Sequence, residues 1–233
     1  MRTFRKLAAG YCIILVLTLL IAHWGNRAVT VIAENTPPER FHTIIIDPGH
    51  GGVDGGATSC TGVLESQFNL EIALRLRDLL HFMGFETKMI RTEDISVYTE
   101  GQTIAKKKLS DLKQRAKVVN ETENGILLSI HQNTFPDEKY SGAQIFYADT
   151  LESRQLAKQL QDAFIKSLNT GSHRQEKKAS GIYLMEHIDR TGVLIECGFL
   201  SNPEEEAKLR SRDYQQKICC VIAGTLSKTL ANT

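Results

Sequence analysis

Four side chains spread widely along the chain have the types needed for hydrolytic chemistry: His50, Glu65, His131 and Glu196. Two histidines and one carboxylate, with a position left for water, form the donor set of a catalytic zinc site. Neutral imidazole and carboxylate suit zinc as a borderline-soft ion. Such a site brings the pKa of water down to about 7 and polarises a carbonyl. Hydrolysis then needs a base that takes a proton from water and passes it to the leaving group. Glu196 is the candidate, because a carboxylate inside the apolar run VLIEC is costly unless it works or is paired. Taken singly, each residue has a plainer reading: a surface or capped core histidine, or a buried ion-pair partner. No HExxH motif brings the donors together locally, so the set as a whole carries the reading.

Such scattered donors need elements that return to one edge. Strand-like runs fall at 43–47, 86–90, 126–131, 143–147 and 193–197. Helical patterns separate them. Phe68, Ile72, Leu76 and Leu79/Leu80 recur at helical spacing over 67–83, and Gly84 stops that helix. Leu156, Leu160, Phe164 and Leu168 make a second face. A third helix starts at Asn202-Pro203, with Glu205 three residues after the asparagine, and Ile218, Ile222 and Leu226 continue an apolar face near the C-terminus. This alternation predicts an α/β domain with a largely parallel sheet. Sheets of that kind hold their sites at the carboxyl ends of the strands. His50 follows the first strand, His131 ends the third, and Glu196 lies near the end of the last. Glu65 stands just before the 67–83 helix, after a glycine-rich loop.

The neighbours of these residues carry further expectations. Gly49, Gly51 and Gly52 allow unusual φ values and a close approach to the backbone. Asp47 would accept the second ring N–H of a ligand histidine and fix its tautomer. Asn133 would hydrogen-bond substrate or brace its loop. His187 would line the groove, and Met185 would touch the peptide or pack in the core. Arg115 is expected to tie a helix to the sheet. Lys106–Lys108 reads as a solvated face, with docking of an anionic glycan as the weaker alternative.

Totals and ends narrow the class. The 233 residues carry 28 Lys+Arg against 27 Asp+Glu, which excludes the basic face of a nucleic-acid protein. Arg2, Arg5 and Lys6 precede the apolar run LAAGYCIILVLTLLIAHW, so residues 1–24 read as an export signal or a membrane anchor. Residues 25–40 form a linker closed by Pro37 and Pro38, and residues 41–233 form one catalytic domain. The protein is therefore expected outside the cytoplasm, with membrane contact through its N-terminal segment. Cys60, Cys197, Cys219 and Cys220 show no CxxC spacing and read as inert thiols.

Taken in order, IIIDPGHGGVDGGA, GVLESQFNLEIALRLRDLL, IRTED, LKQRAKVVN, LLSIHQN and GVLIECGFLSNPEEE resemble the zinc-dependent N-acetylmuramoyl-L-alanine amidases of bacterial cell walls. The resemblance covers about residues 43–230. It implies a mixed, mostly parallel central sheet flanked by helices. It implies one Zn2+ per chain on His50, Glu65 and His131, and a catalytic role for Glu196. It implies peptidoglycan as substrate, cut at the amide between the muramic lactyl group and L-alanine of the stem peptide. SGAQIFY, GIYLM and GFLSNPEE are similar to the branch of the family that matures the spore cortex, where muramic δ-lactam is made for germination. That branch implies a location on the forespore and cortex side. Ser66 departs from the lysine that many relatives carry after the glutamate. With no wall-binding repeats in the chain, localisation falls to the N-terminal segment or to an activating or localising protein partner. Only ten residues separate His131 from Gly142, too few for a substantial blocking helix, so the groove is expected to be open. The rival readings are another zinc peptidoglycan amidohydrolase on the same ligands, or a non-catalytic peptidoglycan-binding regulator. The presence of a general base beside the ligands speaks against the second.

Overall fold

A computed structural model describes residues 42–231. The expected export segment (1–24) and linker (25–40) lie outside the described residues. The elements run β1 (Thr43–Pro48), α1 (Glu65–Phe82), β2 (Glu86–Met89), α2 (Ile104–Asn120), β3 (Gly125–Asn133), β4 (Gln144–Tyr147), α3 (Leu151–Ser167), β5 (Lys177–Lys178), α4 (Tyr183–Glu186), β6 (Thr191–Phe199), α5 (Pro203–Leu209) and α6 (Arg212–Leu230). The sheet order is β2-β1-β3-β6-β4-β5. Strands β2, β1, β3 and β6 are parallel, β4 runs antiparallel to β6, and β5 pairs parallel with β4. The mixed, mostly parallel sheet expected from the sequence is therefore present.

The two faces of the sheet divide by strict alternation. Ile44, Ile46, Ile126, Leu128, Ile130, Val193 and Ile195 pack under α1, α3 and α6 with Ile72, Leu76, Phe164 and Ile222. The intervening Ile45, Leu127 and Leu194 pack with Ala116, Val119, Leu184 and Met185 from α2 and α4. Strands buried on both faces explain the near-continuous apolar runs in the sequence. Continuing the second alternation to the strand ends places Asp47, Ser129, His131 and Glu196 on the α2 face. The polar residues of the site thus occupy the last rungs of an otherwise apolar face.

Local signals explain the boundaries. Gly84, at φ 87°, lets Phe85 N–H bond Leu80 O and Gly84 N–H bond His81 O, the paired bonds that close α1. Asn202 caps α5 through the amides of Glu204 and Glu205, with Pro203 at the first helical position. The apolar pattern expected to continue from there is broken after Leu209, because Ser211 caps a new helix by accepting from Tyr214 N. The two-residue β5 and the single-turn α4 are too short to show any period in the sequence.

Candidate active site

β1 ends in the turn that the glycines announce, but the left-handed backbone begins at the histidine itself. His50 has φ 60°, followed by Gly51 at 130° and Gly52 at 58°. A left-handed non-glycine residue costs roughly 1–3 kcal/mol and persists only where its surroundings fix it. Arg115 supplies that restraint, donating from Nη2 to His50 O at 2.8 Å.

Glu65 stands at the first position of α1, one step inside the helix rather than before it. Its carboxylate is 5% exposed and faces both histidines. Oε2 lies 3.3 Å from His50 Nε2, and Oε1 lies 3.0 Å from His131 Nδ1. The amides of Ala57 and Gln132 and the side-chain amide of Asn69 also donate to it. Burial alone would raise its pKa, but the two histidines outweigh burial and hold it well below the carboxylate range. The rings of His50 and His131 meet edge to face, with centroids 4.9 Å apart. One ligand atom from each of these three residues lies within 4.8 Å of the others.

The surroundings are shaped for a cation. Nδ1 of His50 donates to Asp54 Oδ2 at 3.0 Å, which leaves Nε2 as its inward atom. Burial would lower the His50 pKa, but Asp54 and Glu65 overcome it and push the ring up to about 9. Nε2 faces Glu65 Oε2 at 3.3 Å, the side on which a metal ion would sit. A Cβ on Gly56 would meet Glu65 Oε2 at 2.6 Å and His50 Cδ2 at 2.7 Å, so only glycine leaves room. The donor set, its spacing and this cradle fit a zinc ion.

Glu196 pairs in register with His131 on the neighbouring strand, and the ladder then shifts before Asn133. Its Oε2 is a buried polar atom with no hydrogen-bond partner among the described residues. Burial pushes its pKa up to about 7, against the opposing pull of His131 and with the added push of Glu65. A carboxylate left unpaired beside a metal-type cluster, with raised proton affinity, has the properties of a general base.

The remaining expected residues divide. Asp47 is buried at the site, but it holds neither histidine. Its oxygens take Arg115 Nη1 and the hydroxyl of Ser129 (2.7 Å). The orienting carboxylate is Asp54, held in turn by Lys108 Nζ at 2.8 Å and the Gly56 amide at 3.2 Å. Asn133 braces its loop, accepting from Thr134 N on Oδ1 and from Leu200 N on its carbonyl. Met185 is buried in the smaller core. His187 is exposed and stacks on Tyr183 at 3.8 Å, and it is Tyr183 that lines the cavity beside the site. Arg115, braced by Asp111 one turn earlier on its own helix, joins α2 to β1 through Asp47 and Pro48 O, as expected. Arg91, which the sequence reading missed, clamps the turn through Pro48 O, Gly49 O and Ser66 O. Its place in IRTED was visible, but its reach back to β1 was not. No helix interrupts the 134–143 connection, so nothing of that kind covers the groove among the described residues.

Comparison with known proteins identifies the family. The sequence profile of the N-acetylmuramoyl-L-alanine amidase family matches residues 44–228. The chain belongs to that family. It is 41% identical over 181 residues to the germination-specific N-acetylmuramoyl-L-alanine amidase of Bacillus subtilis (strain 168), covering 77% of this chain and 76% of that protein. Among solved structures it is similar to the CwlD amidase of Clostridioides difficile in complex with the GerS lipoprotein, with TM-score 0.79 and 36% identity, covering 82% of this chain and 100% of the other. An N-acetylmuramoyl-L-alanine amidase from Clostridium difficile 630 matches with TM-score 0.72 at 27% identity, over 82% of this chain and 98% of that one.

Proposed function

We propose that this family member is a zinc-dependent, exported amidase that removes stem peptides from peptidoglycan during spore cortex maturation. His50, Glu65 and His131 would hold the zinc. When bound, zinc would activate water and polarise the scissile carbonyl. Glu196 takes the proton of the attacking water and returns it to the L-alanine nitrogen as the lactyl amide breaks. Asp54 keeps His50 in the tautomer that presents Nε2. The turn held by Arg91 and Arg115 keeps His50 in place against its unfavourable backbone.

The observation that carries this reading is the unpaired, buried Oε2 of Glu196 in register with His131. A binding module has no need of that atom. The cortex role rests on the likeness to the germination-specific relative. The relative solved with a lipoprotein supports an activating or localising protein partner for this chain. The N-terminal apolar run supports export and membrane contact.

The test is mass spectrometry of spore-type peptidoglycan treated with the zinc-loaded protein. Stem peptides with a free L-alanine amine, beside glycan with intact muramic carboxyl groups, are expected. Glu196→Gln should lower the rate by about 10²–10⁴ while zinc content and peptidoglycan binding persist. Cleavage at another bond would overturn the reading.

A further inference from the structure

A cavity of about 280 Å³ opens beside the metal-type cluster, between the β1 turn, α2 and α4. His50 and His131 form one end of it. Val53, Leu112, Ile182 and Leu184 supply apolar wall, and Lys107 and Lys108 supply cations. The acids lining this cavity are already matched. Asp47 and Asp111 are bound by Arg115, and Asp54 by His50 and Lys108. Lys107 is different. It is half-buried, its Nζ lies 5.1 Å from the centre of the Tyr98 ring, and it pairs with no carboxylate among the described residues. A partly buried ammonium that lines a cavity and has no carboxylate partner is free to pair with an entering anion.

We infer that this cavity receives the stem peptide beyond its L-alanine and that Lys107 binds the first free carboxylate of that peptide. The inference rests on the amidase reading of the adjacent cluster. The scissile amide sits at the His50–His131 end, so the leaving peptide must extend away from it. The apolar wall accepts the alanine methyl and the methylenes that follow. The Lys107 ammonium already lies over the Tyr98 ring, so little further ordering is needed when the ion pair forms. Lys108 is committed to Asp54 and serves the metal end instead.

The test compares two muramoyl-peptide substrates, one with that carboxylate free and one with it amidated, on the zinc-loaded full chain. The unaltered protein should favour the free acid by about tenfold in kcat/KM, the size of one partly desolvated charge-assisted contact. Lys107→Met should raise KM for the acid about tenfold, leave kcat near its original value, and abolish the preference. Lys107→Glu should reverse it. Zinc content and thermal unfolding matching the unaltered protein would show that both variants are folded. Equal use of both substrates by the unaltered protein would overturn the assignment. So would a preference that survives Lys107→Met. If the unaltered protein cuts neither substrate at the lactyl amide, the amidase reading itself fails and this inference goes with it.

Discussion

Replacing Gly49 by alanine tests how the proposed metal site is held. The added Cβ would lie 2.6 Å from His131 Cδ2 and nearer still to Nε2 and Cε1. The backbone cannot retreat. Gly49 N–H donates to Ile130 O at 3.0 Å, and Gly49 O accepts from Asn69 Nδ2 and Arg91 Nη2 at 3.1 and 3.0 Å. The ring must therefore recede by about 1 Å, and a displacement of that size at a reacting centre costs about 10²-fold in rate. Overpacking should cost a further 1–3 kcal/mol or so of stability. Zinc affinity should fall at least about tenfold, because the donor leaves its position. Competition with a chromogenic chelator measures the affinity, and release of stem peptide measures the rate. Gly84→Ala is the control. Gly84 has φ 87° but nothing within 4 Å of an added Cβ, so strain alone applies. It should lose about 1 kcal/mol of stability with activity intact. If Gly49→Ala binds zinc and turns over within twofold of the unaltered protein, the packing argument for His131 is wrong.

Asp54→Asn should weaken zinc binding about 10–100-fold, and saturating zinc should restore most of the activity. Unchanged affinity in chelator competition would remove Asp54 from the role assigned to it. Burial would raise the Asp47 pKa, but Arg115 and Ser129 outweigh it and hold the carboxyl below its ordinary value. A lowered folded-state pKa gives stability that is complete above the unfolded pKa of about 3.9 and lost as pH falls through the folded value. Denaturant titrations should therefore show Asp47→Asn less stable than the unaltered protein at neutral pH, with the gap closing only below about pH 4. Leu76→Ala, in the fully buried face of α1, should cost about 2–5 kcal/mol without changing zinc affinity.

The apolar runs, the helix stops and the positions of His50, His131 and Glu196 at strand ends were legible because each rests on a local pattern. What failed to show was side-chain direction set from afar. Asp47 and Asp54 both lie near His50 in sequence. Which of them orients the ring is decided by Arg115, which reaches β1 from 68 positions away and claims Asp47. Lys106–Lys108 looked uniform as a run. Folding separates it into Lys108 bound to Asp54 and Lys107 turned toward Tyr98 and the cavity. Met185 and His187 share one short turn, too brief for any period to show that one is buried and the other exposed. The break between α5 and α6 at Ser211 did not show, because the apolar spacing runs across it.

The strand pairings also bear on how the site assembles. Thr43 pairs with Gly125 on β3, and Ile126 on that strand pairs with Thr191 on β6. Each contact closes a long loop before it is rewarded, which slows folding relative to helical domains. His50, Glu65 and His131 come together only when β1, α1 and β3 have docked. On the proposed metal site, a cation is expected to act as a lock on the finished fold rather than as a template. Refolding should proceed at the same rate with or without zinc, while unfolding slows as zinc rises. If the proposed export and zinc binding hold, the chain crosses its interval of greatest exposure to proteases before the metal can stabilise it.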